Sequence, residues 1–258
     1  MATKEQNQTL GRGEVHFSRF KTGTQTPEGY RYFGNTPEFN LTADSETLDH
    51  YGMDAGLKEK DKSVTLQTNR RGTFTCDDID LENLAVFFMG TASTVAQASA
   101  TGTTETIEGV IPGRSYQIGV STSTPTGVRS VTMNTVEVSA VAKTDGTDYE
   151  IDAARGIITI LEGGSISEGD DIDLDYDLAA VSREQIVSGN SQIEGALQYR
   201  AYNAEGDDID YHMLYVKISP NGDLALKGDD WMTTPFNVEI LKKTGTEAIY
   251  ANGQPFVV

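Results

Sequence analysis

The sequence predicts a mostly β protein: a β-sandwich or barrel with one flanking α-helix, a long inter-strand loop and a β-rich insertion. Three observations predict it. Apolar and polar side chains alternate with a two-residue period in several runs, glycine and proline fall between those runs, and one stretch carries a helical period instead.

The alternating runs come first. Residues 14–20 read Glu-Val-His-Phe-Ser-Arg-Phe, with Val15, Phe17 and Arg19 on one face. Residues 63–69 read Ser-Val-Thr-Leu-Gln-Thr-Asn, with Val64 and Leu66 on one face and Thr65 and Gln67 on the other. Residues 171–177 alternate Asp171, Asp173, Asp175 and Asp177 with Ile172, Leu174 and Tyr176. Residues 212–218 and 236–241 continue the pattern. Alternation of this kind marks strands with one buried face. Gly and Pro at 112–113, 125–127, 163–164 and 220–222 supply turn chemistry between runs.

The helical stretch is residues 80–89, where Leu81, Leu84, Ala85 and Phe88 stand at i, i+3, i+4 and i+7. That spacing makes one apolar stripe, which packs on a sheet. Asp78 or Asp80 caps its start and Gly90 follows its end. Two stretches lack a period. Residues 43–62 are charged and non-alternating, which predicts a long exposed loop, a feature usually kept for function. Residues 92–108 hold Thr, Ala, Ser and Gly and read as a weakly specified strand or connector.

Composition bounds the function. A chain of 258 residues builds a core without staples. The single cysteine, Cys76, makes no internal disulfide. Residues 1–13 lack an apolar signal core, and no run approaches the ~20 apolar residues of a membrane helix. The expectation is a protein made and kept in a cytoplasm, or packed into a particle assembled there. With 39 acids against 20 bases the formal charge is −19, which opposes a phosphate-clamping surface. An acidic wall instead lets DNA slide past without sticking.

Catalytic signatures are missing. His16, His50 and His212 stand in no metal-ligand spacing. Cys76 precedes Asp77 and Asp78, whose charge disfavours the thiolate, so a small buried hydrophobe at a strand end is expected. No nucleophile elbow or phosphate loop occurs. The expectation is therefore no enzyme, no cofactor and no metal. The acidic run 171–177 lacks the curled loop that calcium needs and reads as a solvated acidic strand face. The run Asp207, Asp208 and Asp210 after Gly206 is a better calcium candidate, ranked below a plain acidic turn. Trp231, Tyr199, Tyr202, Tyr211 and Tyr215 offer a stacking platform for sugars, or simply sheet packing. A monomeric carbohydrate- or calcium-binding β-sandwich module thus stands as the alternative function.

Residues 30–42, Tyr-Arg-Tyr-Phe-Gly-Asn-Thr-Pro-Glu-Phe-Asn-Leu-Thr, followed by the charged stretches 44–51 and 56–62, strand 63–75 and Leu81-Glu82-Asn83-Leu84-Ala85, resemble the N-terminal half of the siphophage major tail tube proteins. Asp148-Tyr149-Glu150-Ile151-Asp152, Gly156-Ile157-Ile158 and residues 172–176 are similar to a second piece of that family. The resemblance covers residues 28–90 and, less closely, 145–180.

The resemblance implies a tail-tube-like domain over residues 1–258, with a peripheral β-rich insertion at about 92–180. It implies homo-hexameric rings stacked into a tube, made in the host cytoplasm and built into the virion tail, through which DNA passes without specific binding. Its partners would be further copies of itself, the tape measure protein, and the tail tip, distal tail and tail terminator proteins. Residues 43–62 would form the inter-subunit loop. Glu46, Asp49, Lys58, Glu59, Lys60, Asp61 and Lys62 would supply its ion pairs, and Leu48 and Tyr51 its apolar anchors.

Overall fold

Phe74 and Phe236 lie directly opposite each other on paired strands, and Phe33 closes an aromatic trio with them. The Phe74 and Phe236 rings stack at 5.0 Å, and Phe33 meets Phe74 edge-on at 5.0 Å. Such pairs add roughly 0.5–1.5 kcal/mol beyond simple burial. This trio centres the larger of two compact units in a computed structural model that describes residues 8–53 and 56–253.

The first unit comprises residues up to Ala92 and from Ile186 onward. Its elements are β1 (Gly13–Arg19), β2 (Arg31–Tyr32), β3 (Glu38–Gly52), β4 (Glu59–Cys76) and α1 (Leu81–Phe87). The chain then runs through β5 (Thr91–Gln97) into the second unit, Ser93–Gln185. That unit holds β6 (Ala100–Val110), β7 (Ser115–Gln117), β8 (Val131–Val138), β9 (Val141–Ala142), β10 (Tyr149–Asp152), β11 (Ile157–Ile160) and β12 (Asp170–Leu178). The return is β13 (Val181–Val187), and the first unit finishes with β14 (Ile193–Ala201), β15 (Ile209–Pro220), β16 (Thr234–Ile240) and β17 (Tyr250–Gly253). The outward and return passages, β5 and β13, pair as a two-stranded ribbon. The fold is mostly β with one short helix, as the alternating runs predict.

In the first unit the sheet order is β2-β1-β14-β15-β16-β4-β3, with β17 also on β15 and every adjacent pair antiparallel. Val15 and Phe17 of β1 and Phe236, Val238 and Ile240 of β16 face the core on the predicted alternation. Strand β15 departs from it. A bulge at Leu214–Tyr215 shifts the phase, so Met213 and then Val216 and Ile218 are buried.

Helix α1 packs against β15 and β16, but not on the expected stripe. Asp80 is the N-cap and accepts from the Asn83 N–H at 2.5 Å. At the other end Met89 takes the left-handed conformation (φ 49°), and the Gly90 N–H bonds back to the Ala85 carbonyl at 2.8 Å. The buried side chains are Asn83, Ala85, Val86 and Phe87. Of the expected stripe only Ala85 is buried; Leu81 and Leu84 are half-buried and Phe88 is exposed.

The reason is a polar anchor that a hydrophobic pattern does not reveal. Asn83 is fully buried. Its Nδ2 donates to the Phe33 carbonyl at 2.7 Å and the Asp78 carbonyl at 2.9 Å, and its Oδ1 accepts from Arg31 at 2.7 Å. Arg31 also pairs Glu82 at 2.8 Å and lies over the Phe33 ring. The helix therefore rotates to aim Asn83 at the backbone of Phe33, beside Gly34. There the backbone is left-handed (φ 90°), and a Cβ would fall 2.3 Å from that of Asp78.

In the second unit, sheet β6-β12-β8-β9 and sheet β10-β11-β7 share one core. Ile172, Leu174 and Tyr176 of β12 meet Ile158 and Ile160 of β11 in it. Asp171, Asp173, Asp175 and Asp177 of β12 take its other face.

Two measurements check these packing arguments. Asn83→Ala removes the donors to two backbone carbonyls and the acceptor for Arg31. It should cost about 2–4 kcal/mol in urea unfolding, far more than an exposed substitution. Cys76 is buried at the end of β4, and burial above all pushes its thiol up to about 11. At pH 8 only about one thiol in a thousand is ionised, so it should resist alkylation until the protein is unfolded.

Candidate assembly surface

Strands β3 and β4 pair from Glu38↔Thr75 out to Gly52↔Glu59. Strand β16 lies on the far edge of β4 only from Arg70 to Cys76. Beyond that point residues 44–52 and 59–69 form a two-stranded arm with almost every side chain exposed. The expected irregular loop at 43–62 is thus a ladder over residues 43–52 and 59–62, while residues 54–55 of that expectation lie outside the described residues. Its charged sequence hides the strand because neither face meets the core, so no hydrophobic alternation is imposed.

The arm also overturns the expectation of a half-buried strand at 63–69. Val64 is 49 % exposed and Leu66 is 58 % exposed. Leu66 is the extra residue of a bulge, and Val64 sits opposite Leu48, itself 62 % exposed. Met53 and Leu57 add further exposed apolar area near the far end. Sequence reasoning missed Val64, Leu66, Met53 and Leu57 as surface anchors. The signal lies in the structure alone: 15 paired residues reach roughly 50 Å, more than a small core can cover.

The two faces of the arm differ. One is stapled to itself. Asp49 accepts from Lys60 at 2.8 Å and from Ser63 at 2.6 Å, and the Lys60 bond above all holds its carboxyl below the usual range. Lys58 lies 4.6 Å above the Tyr51 ring. The other face carries the cross-strand pairs Glu46↔Gln67, Leu48↔Val64 and His50↔Lys62. His50 bonds Asp61 at 2.6 Å, and at the arm's base Arg71 pairs Asp44 at 2.8 Å. Of the residues expected to serve inter-subunit ion pairs, Asp49, Lys60 and Asp61 are therefore paired within the arm. Glu46, Glu59 and Lys62 form no ion pair among the described residues.

The edges are equally distinctive. Both arm bulges insert their extra residue, Leu66 or Asp61, into β4. Strand β3 keeps an uninterrupted outer edge, and Glu38–Gly52 contains no lysine or proline to blunt it. Edge strand β6 of the second unit is built the other way. It carries the extra residues of two bulges, with Gly102 and Gly109 left-handed at φ 62° and 61°. The Gly102 and Gly109 amides are held by Asp177 and Asp171, each at 2.8 Å. Asp173 accepts from the Thr106 hydroxyl at 2.7 Å, and Asp175 from the Asn134 amide at 3.0 Å. The predicted acidic face exists, and its carboxylates organise the neighbouring strands.

Other candidates are not brought together. In the 207–210 turn, Asp208 accepts from the Asn203 N–H at 2.6 Å and Asp210 from the Ala201 N–H at 2.8 Å, so these carboxylates brace the backbone. Tyr199 and Tyr211 pack against the core, whereas Trp231 is 93 % exposed. His16 is buried on β1 against Glu14 and Tyr32, apart from the arm residue His50. No group of three or more metal-ligating side chains occurs among the described residues, and no helix among them is long and apolar enough to cross a membrane.

A family model matches residues 8–254. The chain belongs to that family, described as protein of unknown function UCP028589. No curated protein matches it.

Because the arm rests on no core, its apolar side chains hold nothing in the free chain. Leu48→Ser with Val64→Ser should shift the unfolding midpoint by less than about 0.5 kcal/mol, whereas Val238→Ala, in the core, should cost about 2 kcal/mol. Parallel urea titrations read both.

Proposed function

We propose that the protein is a structural virion subunit that polymerises as stacked hexameric rings into a bacteriophage tail tube, the conduit for DNA ejection. One observation supports self-association above all: a long two-stranded arm with exposed apolar side chains and an outer edge free of bulges, lysine and proline. A monomer that kept such an edge free would template pairing with other chains. A ring uses that tendency and closes it, and a repeated head-to-tail contact gives closure. The likeness of residues 28–90 to siphophage tail tube proteins directs the reading to tails. The net charge of −19 suits a conduit that must not hold DNA. In this reading the tape measure protein and the tail tip and terminator proteins meet the assembled tube. Asp171, Asp173, Asp175 and Asp177 supply acidic wall, outside or lining the lumen.

The test removes the arm and keeps the core. Ala43 and Arg70 are register partners, so they can be joined through Asn-Gly, a two-residue turn suited to a hairpin. Negative-stain microscopy of the intact chain should show rings or tubes, and the shortened chain should run as a folded monomer on size exclusion. An intact chain that stays monomeric at every concentration, or a shortened chain that still builds tubes, overturns the reading.

A further inference from the structure

The arm carries two free backbone edges of opposite character. The outer edge of β3 belongs to a strand with Glu38, Asp44, Glu46 and Asp49 and no lysine or arginine. Among the described residues the far edge of β4 has no partner from Glu59 to Asn69, because β16 begins pairing only at Arg70. That stretch and its base carry Lys60, Lys62, Arg70 and Arg71 against Glu59 and Asp61. Acidic and basic strands already pair within one arm, through Asp49–Lys60 and Asp44–Arg71. Within the arm, residues 44–52 and 59–69, Glu46 of β3 and Lys62 of β4 form no ion pair among the described residues. Both lie on the face of the exposed Leu48↔Val64 pair.

We infer that arms join head to tail, the β3 edge of one copy taking the free β4 edge of a second copy so that Glu46 meets Lys62 across the joint. The inference rests on the self-assembly reading above and adds which edges meet. Arms pointing the same way make this joint antiparallel, since β3 and β4 are antiparallel within each arm. Each joint would extend the ladder by two strands and keep the Leu48↔Val64 pair of every copy on the face that carries the Glu46–Lys62 contacts. The acid-to-base order also disfavours the reversed joints: β3 to β3 brings like charges together, a penalty that selects among possible partners. Both edges are used in every copy, so the contact is heterologous and propagates around a ring.

Charge reversal tests it on the full chain. Glu46→Lys gives one copy two positive ends and Lys62→Glu gives one copy two negative ends. Each alone should raise the concentration at which assemblies appear by about tenfold. Mixing the two variants in equal amounts should restore assembly, because every joint in an alternating array is then opposite in sign; the double variant should also assemble. Both residues are exposed, so thermal melts should match the original protein. Single variants that assemble normally, or a mixture that stays blocked, would overturn the edge assignment while leaving self-assembly standing. An original chain that never assembles would bring down both, and the two failures are thereby told apart.

Discussion

Strand β4 is the constraint on which the first unit depends. Its last residues, from Gly72 to Cys76, run between β3 and β16 and deliver Phe74 and Cys76 into the core. The same strand continues outward for eleven residues, Glu59–Asn69, with β3 as its only partner among the described residues. Backbone pairing in the arm is therefore an extension of the pairing that builds the core. The register of the outer ladder is inherited from buried residues, since a one-residue slip at Phe74 would turn it away from Phe236. An isolated two-stranded hairpin is marginal in water. Here the ladder begins from a packed base, and the nucleation cost is already met.

The base is held by polar chemistry inside an apolar shell. Asn83 ties the helix to the backbone of Phe33, and Arg31 links Asn83, Glu82 and the Phe33 ring. All of Asn83's side-chain atoms are satisfied, so its burial carries no unpaired group and instead specifies one orientation of the helix. No buried side-chain nitrogen or oxygen in the described structure lacks a partner. That completeness extends to the second unit, where Asp148 is held below the usual carboxylate range, first by the Ser165 amide and then by that of Thr144.

Strands with a buried face were legible in the sequence, because burial on one side writes a two-residue period. Val15 and Phe17, the β12 run and Phe236 to Ile240 all kept their predicted faces. The period failed where another force set the backbone. A bulge at Leu214–Tyr215 moved the phase of β15, and Asn83 turned the helix so that Phe88 faces outward. The arm was the largest miss. Its residues alternate weakly because both faces are exposed, and Val64 and Leu66 mimic a core stripe while meeting no core. The candidate surface was legible in place, since residues 43–62 stood out as charged and long. Its strand geometry and free edges were not, because edges belong to pairing between distant residues rather than to local composition.

The paired passages β5 and β13 carry a consequence for the chain between them. Entry to and exit from Ser93–Gln185 lie on adjacent strands, about 5 Å apart. A short turn spans that gap as readily as a whole module does. The ribbon is thus a clasp, whose two strands meet whatever length of chain runs between Gln97 and Val181.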